Sequence, residues 1–198
     1  MLLRTSARRL AAFTIAALYS GCVTHAKTLP ALWLLSDQRN DAVLEDAIRR
    51  LPPGSGFVFR HYHLDVDARA ARFAQLLPLL RSAGHWAIVS DGLRTAEAWG
   101  ADGVYGVRGL IAPAGFHWIA TAHNEAEIAD ANANGASAVM LSPVFPTRSH
   151  PGAETLGAER FRGLAALSAI PVIALGGMTA ERARMLDWPR WAAIDGLS

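Results

Sequence analysis

The sequence predicts an α/β fold: a (β/α)8 TIM barrel that is small and lacks most or all of its eighth helix. Three observations predict it. Eight short apolar runs recur along residues 28–198, and most are separated by helical patterns. The stretches between runs leave room for the helical crossovers that parallel strands require. Polar and glycine residues gather just after the runs, at the strand ends where such barrels keep their ligand loops. Residues 28–198 are few beside the roughly 250 of a usual barrel. No residues remain for an eighth helix, so a homodimer covering that flank is one expectation. A doubly wound open sheet is the alternative fold.

The elements follow in order. Leu32–Leu35 is a buried-strand run ending at Ser36-Asp37. A helix is expected over Asp41–Leu51, where Leu44, Ala47, Ile48 and Leu51 share one face; Pro52-Pro53-Gly54 stops it. Gly56–Tyr62 reads as the second strand. The next helix begins near Asp67 and carries Phe73, Leu76, Leu77 and Leu80, with Pro78 inside it as an expected kink. Trp86–Val89, a short helix at 94–99, and Gly103–Val107 come next. The connection Arg108–Gly115 is short and apolar, with little room for a helix. His117–Thr121 is the fifth strand. Asn124 and Glu127 then resemble a capping box, and Gly135 suits the helix C′ position. Ala138–Leu141, a helix at 158–167, and Pro171–Leu175 follow. Thr179 is placed to cap the last helix, and Trp191–Ile194 starts an eighth strand.

Composition narrows the function. Hydrophobic residues make up 52% and charged residues 18%, which suits a packed globular domain. The net charge is +2, and the four basic residues Arg4, Arg8, Arg9 and Lys27 fall in a stretch, 1–36, that has no acid. The rest is near neutral, which argues against a nucleic-acid partner. The one cysteine, Cys22, precludes a disulfide framework or a cysteine zinc site in the domain. Residues 1–27 combine a basic start, an apolar run and small residues before Lys27, the pattern of an exported leader. That run is too short to span a bilayer. The segment is read as an N-terminal extension or signal-like piece outside the fold, and residues 28–198 as the domain.

The chemistry-bearing residues stand just past the runs: Asp37, Arg60, Ser90 and Asp91, Arg108, Thr121 and His123, then Ser142 and Thr147-Arg148-Ser149-His150, then Gly176-Gly177. In a closed barrel they converge on one mouth. Any one of them has a plainer reading, such as a backbone hydrogen bond or a helix cap; their convergence favours a site. Gly176-Gly177 before a Thr-capped helix offers backbone N–H groups to a phosphate. The basic and hydroxyl content of residues 147–150 points to a second anion. His123 and His150 are able to bind a metal, but no HExxH-like spacing accompanies them.

SPVFPTRSHPGAETLG (142–157), followed by PVIALGGM (171–178), resembles the thiamine phosphate synthase family, which includes the TenI-type thiazole tautomerases. FRHY, VSDGLRTAEAWGADGVYG and TAHNEAEIADANANGA fit in order, so the resemblance runs from about Leu32 to Gly196. It implies a (β/α)8 barrel that couples hydroxymethylpyrimidine pyrophosphate to a thiazole phosphate, releasing pyrophosphate with the help of Mg²⁺. Small phosphorylated heterocycles would then be the partners, and the cytoplasm the compartment; export is the alternative that residues 1–26 raise.

The resemblance also assigns roles. Arg60 would hold pyrophosphate, within a segment that in the family reads Gln-Leu-Arg-Glu-Lys and here reads Val58-Phe59-Arg60-His61-Tyr62. Ser90-Asp91 replaces an Asn-Asp pair, leaving Asp91 as the Mg²⁺ ligand. The second ligand is missing, since no carboxylate follows Tyr105-Gly106-Val107-Arg108 nearby. Thr121 keeps a serine's hydroxyl, and His150 replaces the pyrophosphate lysine. Thr147, Arg148, Ser149, Gly176 and Gly177 would bind substrate phosphates. Arg148 and Arg108 are candidate replacement cations, as are His61 and His150 when protonated. The tautomerase's catalytic histidine falls at Pro143. A TenI-like isomerase and a non-catalytic phosphate-binding or regulatory barrel remain the alternatives.

Overall fold

The computed structural model describes residues 28–149 and 151–198. The signal-like segment, with Cys22, and His150 lie outside the described residues. Eight parallel strands close into a barrel in sequence order: β1 (Leu32–Leu35), β2 (Gly56–Phe59), β3 (Trp86–Val89), β4 (Gly103–Tyr105), β5 (His117–Ala122), β6 (Ala138–Leu141), β7 (Val172–Ala174) and β8 (Trp191–Ala193). The ring shuts where Trp33 registers with Ala192. The open-sheet alternative is therefore excluded.

Strand alternation divides the apolar residues into two layers. One set, including Trp33, Leu35, Val58, Ile88, Met140 and Ile173, fills the barrel interior. The neighbouring residues of the same strands, such as Leu34, Phe57 and Val139, face the helices. At the N-terminal end Trp33 and Trp86 meet edge to face, with centroids 5.9 Å apart. Gly56 is required there for space, because a Cβ would stand 2.1 Å from the Trp33 ring.

Six α-helices flank the barrel among the described residues: α1 (Leu44–Arg50), α2 (Val66–Ser82), α3 (Leu93–Trp99), α4 (Glu125–Ala133), α5 (Gly157–Ala165) and α6 (Ala180–Leu186). As expected, no helix forms between β4 and β5. A single 3-10 turn, Asp195–Leu197, follows β8.

Local chemistry explains the departures from the sequence reading. The first helical stretch is 3-10 over Gln38–Val43 before α1 begins, since Asp37 and Asn40 form a reciprocal capping box at its start. The second strand stops at Phe59, three residues early, because His61 turns to φ +31°. Pro78 leaves α2 unbroken: Pro78 and Ala74, whose carbonyl loses its partner, both lie on the exposed face, where that carbonyl is open to solvent. Half of the Asn124–Glu127 box forms. Asn124 accepts from the Glu127 N–H, while the Glu127 carboxylate reaches past Asn124 to the His123 N–H.

Candidate functional site

The C-terminal strand ends surround a cavity of about 700 Å³, within the size range of small-molecule sites. Arg60, Thr121, Thr147, Arg148, Ser149, Gly176 and Gly177 all line it, as the sequence reading expected. Ser90 and Asp91 stand outside its lining.

Arg60 owes its place to the end of β2. Its N–H donates to Ser36 Oγ at 2.8 Å, tying it to the end of β1. The guanidinium lies over the Tyr62 ring, 5.2 Å from its centroid. The nearest carboxylate oxygen, on Asp37, is 3.9 Å away. The Arg60 Nε is buried with no hydrogen-bond partner among the described residues. A desolvated donor on a permanent cation is costly unless an acceptor fills the space beside it, which suits an anionic ligand.

Across the mouth, the loop after β6 folds over the loop after β7. Val144 and Phe145 donate to the carbonyls of Leu175 and Gly176 at 2.9 and 3.1 Å. This close approach explains the two glycines. Gly176 has φ +97° and a Cβ there would meet Pro143 Cα at 2.6 Å; Gly177 has φ +62° and a Cβ would meet the Pro146 carbonyl at 2.4 Å. The N–H groups of both glycines form no hydrogen bond to the described residues, so they stay available to a phosphate. Thr179 caps α6 by accepting from the Arg182 N–H, and it also lines the cavity.

Asp91 is committed elsewhere. Its Oδ1 accepts from the Gly92 N–H at 2.7 Å and from Thr95 Oγ1 at 3.1 Å. Its Oδ2 pairs with Arg69 Nη1 at 2.9 Å. Burial pushes the carboxyl up, but these donors outweigh it and hold Asp91 below the usual carboxylate range. Ser90 spends its hydroxyl on Tyr62 and its carbonyl on Arg69. No group of three His, Cys, Asp or Glu among the described residues is arranged to hold a metal. Asp91, the one carboxylate expected to hold Mg²⁺, already faces Arg69.

Two expected replacement cations are corrected. Arg108 pairs with Glu127 and does not line the cavity. His61 is fully buried, and burial pushes its imidazole down against the opposing pull of Asp41, so it serves as a neutral group.

Other lining residues escaped the sequence reading. Arg182 donates to the Gly177 carbonyl and lies over the Phe145 ring at 5.2 Å. Its sequence signal was its place one turn after the glycine pair. Tyr105, at the end of β4, has its hydroxyl pushed up to about 12 by burial even though part of the side chain opens onto the cavity, so it stays a proton donor. His123 was expected at the strand end, and its Nδ1 sits 2.7 Å from the Ser142 carbonyl. Nδ1 therefore donates to that carbonyl.

The comparisons agree with this fold. A family model described as thiamine monophosphate synthase matches residues 33–187. The chain is 29% identical to the thiamine-phosphate synthase of Geobacillus thermodenitrificans, over 86% of this chain and 82% of that protein. It is 31% identical to that of Roseiflexus castenholzii, over 77% of this chain and 72% of that protein. It spans 34% of a bifunctional thiamine biosynthesis protein from Geobacter sulfurreducens, at 26% identity over 79% of its own length. Among solved structures, thiamine phosphate pyrophosphorylase from Pyrococcus furiosus superposes with a TM-score of 0.70 at 24% identity, over 85% of this chain and 87% of that one. That likeness speaks for the fold.

Proposed function

This chain belongs to the thiamine monophosphate synthase family, and from that premise we propose that it makes thiamine phosphate from a hydroxymethylpyrimidine pyrophosphate and a thiazole phosphate. One observation carries the reading. A single cavity of about 700 Å³ holds both a desolvated arginine with an unpaired donor, Arg60, and a glycine cradle with unpaired amides, Gly176-Gly177. β2 and β7 are separated around the ring by β1 and β8, so the two anion sites face each other across the mouth rather than merging.

The bond changes are few. The C–O bond between the pyrimidine methylene and pyrophosphate breaks, and both electrons leave with the pyrophosphate. The thiazole nitrogen then gives its lone pair to the methylene carbon. The positive charge ends on the thiazolium ring, and no proton is transferred.

The protein's part is to stabilise the departing anion and to position the two rings. Arg60 receives the pyrophosphate. Arg148, on the β6 loop that faces β2 across the barrel, adds charge, and the Tyr105 hydroxyl adds a donor. Gly176, Gly177 and Arg182 hold the thiazole phosphate, with Thr147 and Ser149 beside them. Thr121 bounds the space between. The position of the tautomerase histidine is occupied by Pro143, which lines the cavity and has no proton to move. We place the reaction in the cytoplasm, where phosphorylated precursors are kept. Cleavage after Ala26 found by N-terminal sequencing would overturn that placement.

The test mixes the full chain with both substrates and Mg²⁺ and follows thiamine phosphate and pyrophosphate together. Equal release of the two products is the expected result. Binding of the thiazole phosphate with no turnover would overturn the reading in favour of a silent phosphate-binding barrel.

A further inference from the structure

Behind Arg60 runs a chain of polar groups, buried at Ser36 and His61, that does not line the cavity. Ser36 Oγ accepts from the Arg60 N–H and stands 2.8 Å from His61 Nδ1. His61 Nε2 stands 2.8 Å from Asp41 Oδ1. Asp41 is held in turn by Arg72, whose Nε is 2.9 Å away, and Arg72 also binds Glu45. Ser36 and His61 are fully buried.

The protons in this chain have one consistent arrangement. Asp41 is a carboxylate and only accepts, so His61 Nε2 donates to it. Nδ1 of the neutral ring then accepts the Ser36 O–H, which leaves the Ser36 oxygen free to accept from Arg60. Every group is satisfied, and the direction runs from Arg60 to Asp41. Ser36 is no nucleophile here: it is sealed from the cavity and its lone pair is used.

The backbone supports the same role. His61 has φ +31°, a conformation that L side chains seldom adopt, and one that histidine and asparagine enter more readily than most. The ring is stacked on Phe59, with centroids 4.7 Å apart. Arg60 and Tyr62 both line the cavity on either side of this buried turn. No side-chain hydrogen bond fixes the Arg60 guanidinium among the described residues, since its one ion-pair contact is at 3.9 Å. Its aim therefore depends on the backbone that Ser36 and His61 hold.

We propose that His61, linked through Ser36 to the Arg60 N–H and anchored by Asp41, is a positioning residue that aims the Arg60 guanidinium at an anionic group of the pyrophosphate class. The inference rests on the pyrophosphate site of the proposed function. It assigns work to a position where the family segment carries glutamate and this chain carries histidine.

The test compares His61→Phe, which keeps the stacked ring and removes both hydrogen bonds, with His61→Asn, which suits the backbone and keeps an acceptor for Ser36. Ser36→Ala is the second, smaller cut in the same chain. Calorimetry with inorganic pyrophosphate reads the Arg60 side, and the thiazole phosphate reads the glycine cradle. His61→Phe and Ser36→Ala are expected to weaken pyrophosphate binding by about tenfold or more. His61→Asn is expected to stay within about threefold of the parent protein. Binding of the thiazole phosphate should not change in any of the three, which a general loss of structure would not allow. Unchanged pyrophosphate affinity in Ser36→Ala and His61→Phe overturns the positioning role and leaves the proposed function standing. Failure of the parent protein itself to bind pyrophosphate overturns both.

Discussion

Arg69 Nη1 sits 2.9 Å from Asp91 Oδ2. The side chains are 12% and 32% exposed, so the pair is partly shielded from solvent. A guanidinium thus pairs with one oxygen of Asp91, while the other oxygen accepts from the Gly92 N–H and the Thr95 hydroxyl. Asp91→Asn should therefore lower stability by about 1–2 kcal/mol, through lost charge-assisted hydrogen bonds. It should leave the Mg²⁺ concentration for half-maximal turnover where it was. Urea melts and a Mg²⁺ titration of product formation check the two halves. A raised Mg²⁺ requirement in a variant of normal stability would restore Asp91 as a metal ligand.

The two glycines after β7 are expected to fail differently from ordinary loop positions. Alanine at Gly176 or Gly177 combines a left-handed φ with contacts of 2.6 and 2.4 Å to the β6 loop. The conformational part alone costs about 1–2 kcal/mol, and the backbone atoms it meets cannot swing aside as a flexible side chain would. The β6 loop must shift, carrying Thr147 and Ser149 with it. Binding of the thiazole phosphate should fall by at least about tenfold, and binding of inorganic pyrophosphate should fall less, because Arg148 moves with the loop while Arg60 stays in place. Equal losses at both sites would mean that the mouth is a single anion site.

Acid should weaken the fold in two stages of one sign. Burial lowers the His61 pKa below its ordinary value; His63 and Arg72 act the same way, and Asp41 opposes them. The folded protein then binds fewer protons at this site than the unfolded chain, whose histidine titrates near about 6.5. This contribution is complete above that pH and is lost as pH falls through the lowered folded pKa. Asp37, Asp41, Glu45 and Asp91 are also held below their usual values. Their contribution has the same sign but disappears only below about pH 4. Urea unfolding at pH 7.5 and 5.5 should show the first loss alone, and His61→Asn should narrow the difference between those two pH values.

The barrel was legible because its signals are local. Runs such as Trp86–Val89 and Ala138–Leu141 coincide with observed strands, since a buried parallel strand is a short apolar run and little else. Thr179 and Asn124 cap their helices as read, because a cap uses neighbours a few residues away. What could not be read was long-range pairing. Asp91 looked like a free carboxylate at a strand end, yet Arg69 lies 22 positions earlier on α2, and no spacing rule joins them. Arg108 looked like a spare cation until α4 brought Glu127 to it. The aromatic residues past β2 raised its strand propensity through Tyr62, whereas the turn at His61 is set by Ser36 and Asp41 on other elements. The strand ends thus identified the mouth, but which side chains remained free inside it was decided by partners from distant parts of the chain.

Arg39 supplies the last prediction, because it joins three loops at the rim. Its Nε binds Asp37 Oδ1 at 2.8 Å, after β1. Its Nη1 binds Asp195 Oδ2 at 3.1 Å, after β8, and its Nη2 donates to Ser149 Oγ at 2.9 Å, after β6. The side chain is only 25% exposed, but the Asp195 carboxylate is 39% exposed. Solvent and salt should therefore keep the contribution to overall stability under about 1 kcal/mol. The effect on the site should be larger, because Ser149 loses its tie to the opposite rim. Arg39→Met keeps the aliphatic stem and removes all three contacts. It should lower kcat/KM about three- to tenfold, speed hydrogen exchange around residues 147–149, and leave the unfolding midpoint nearly unchanged. Raising the ionic strength on the parent protein should move kcat/KM in the same direction and do less to the variant. An Arg39→Met protein with parental kcat/KM would show that the β6 loop holds its place through its hydrogen bonds to Leu175 and Gly176 without Arg39.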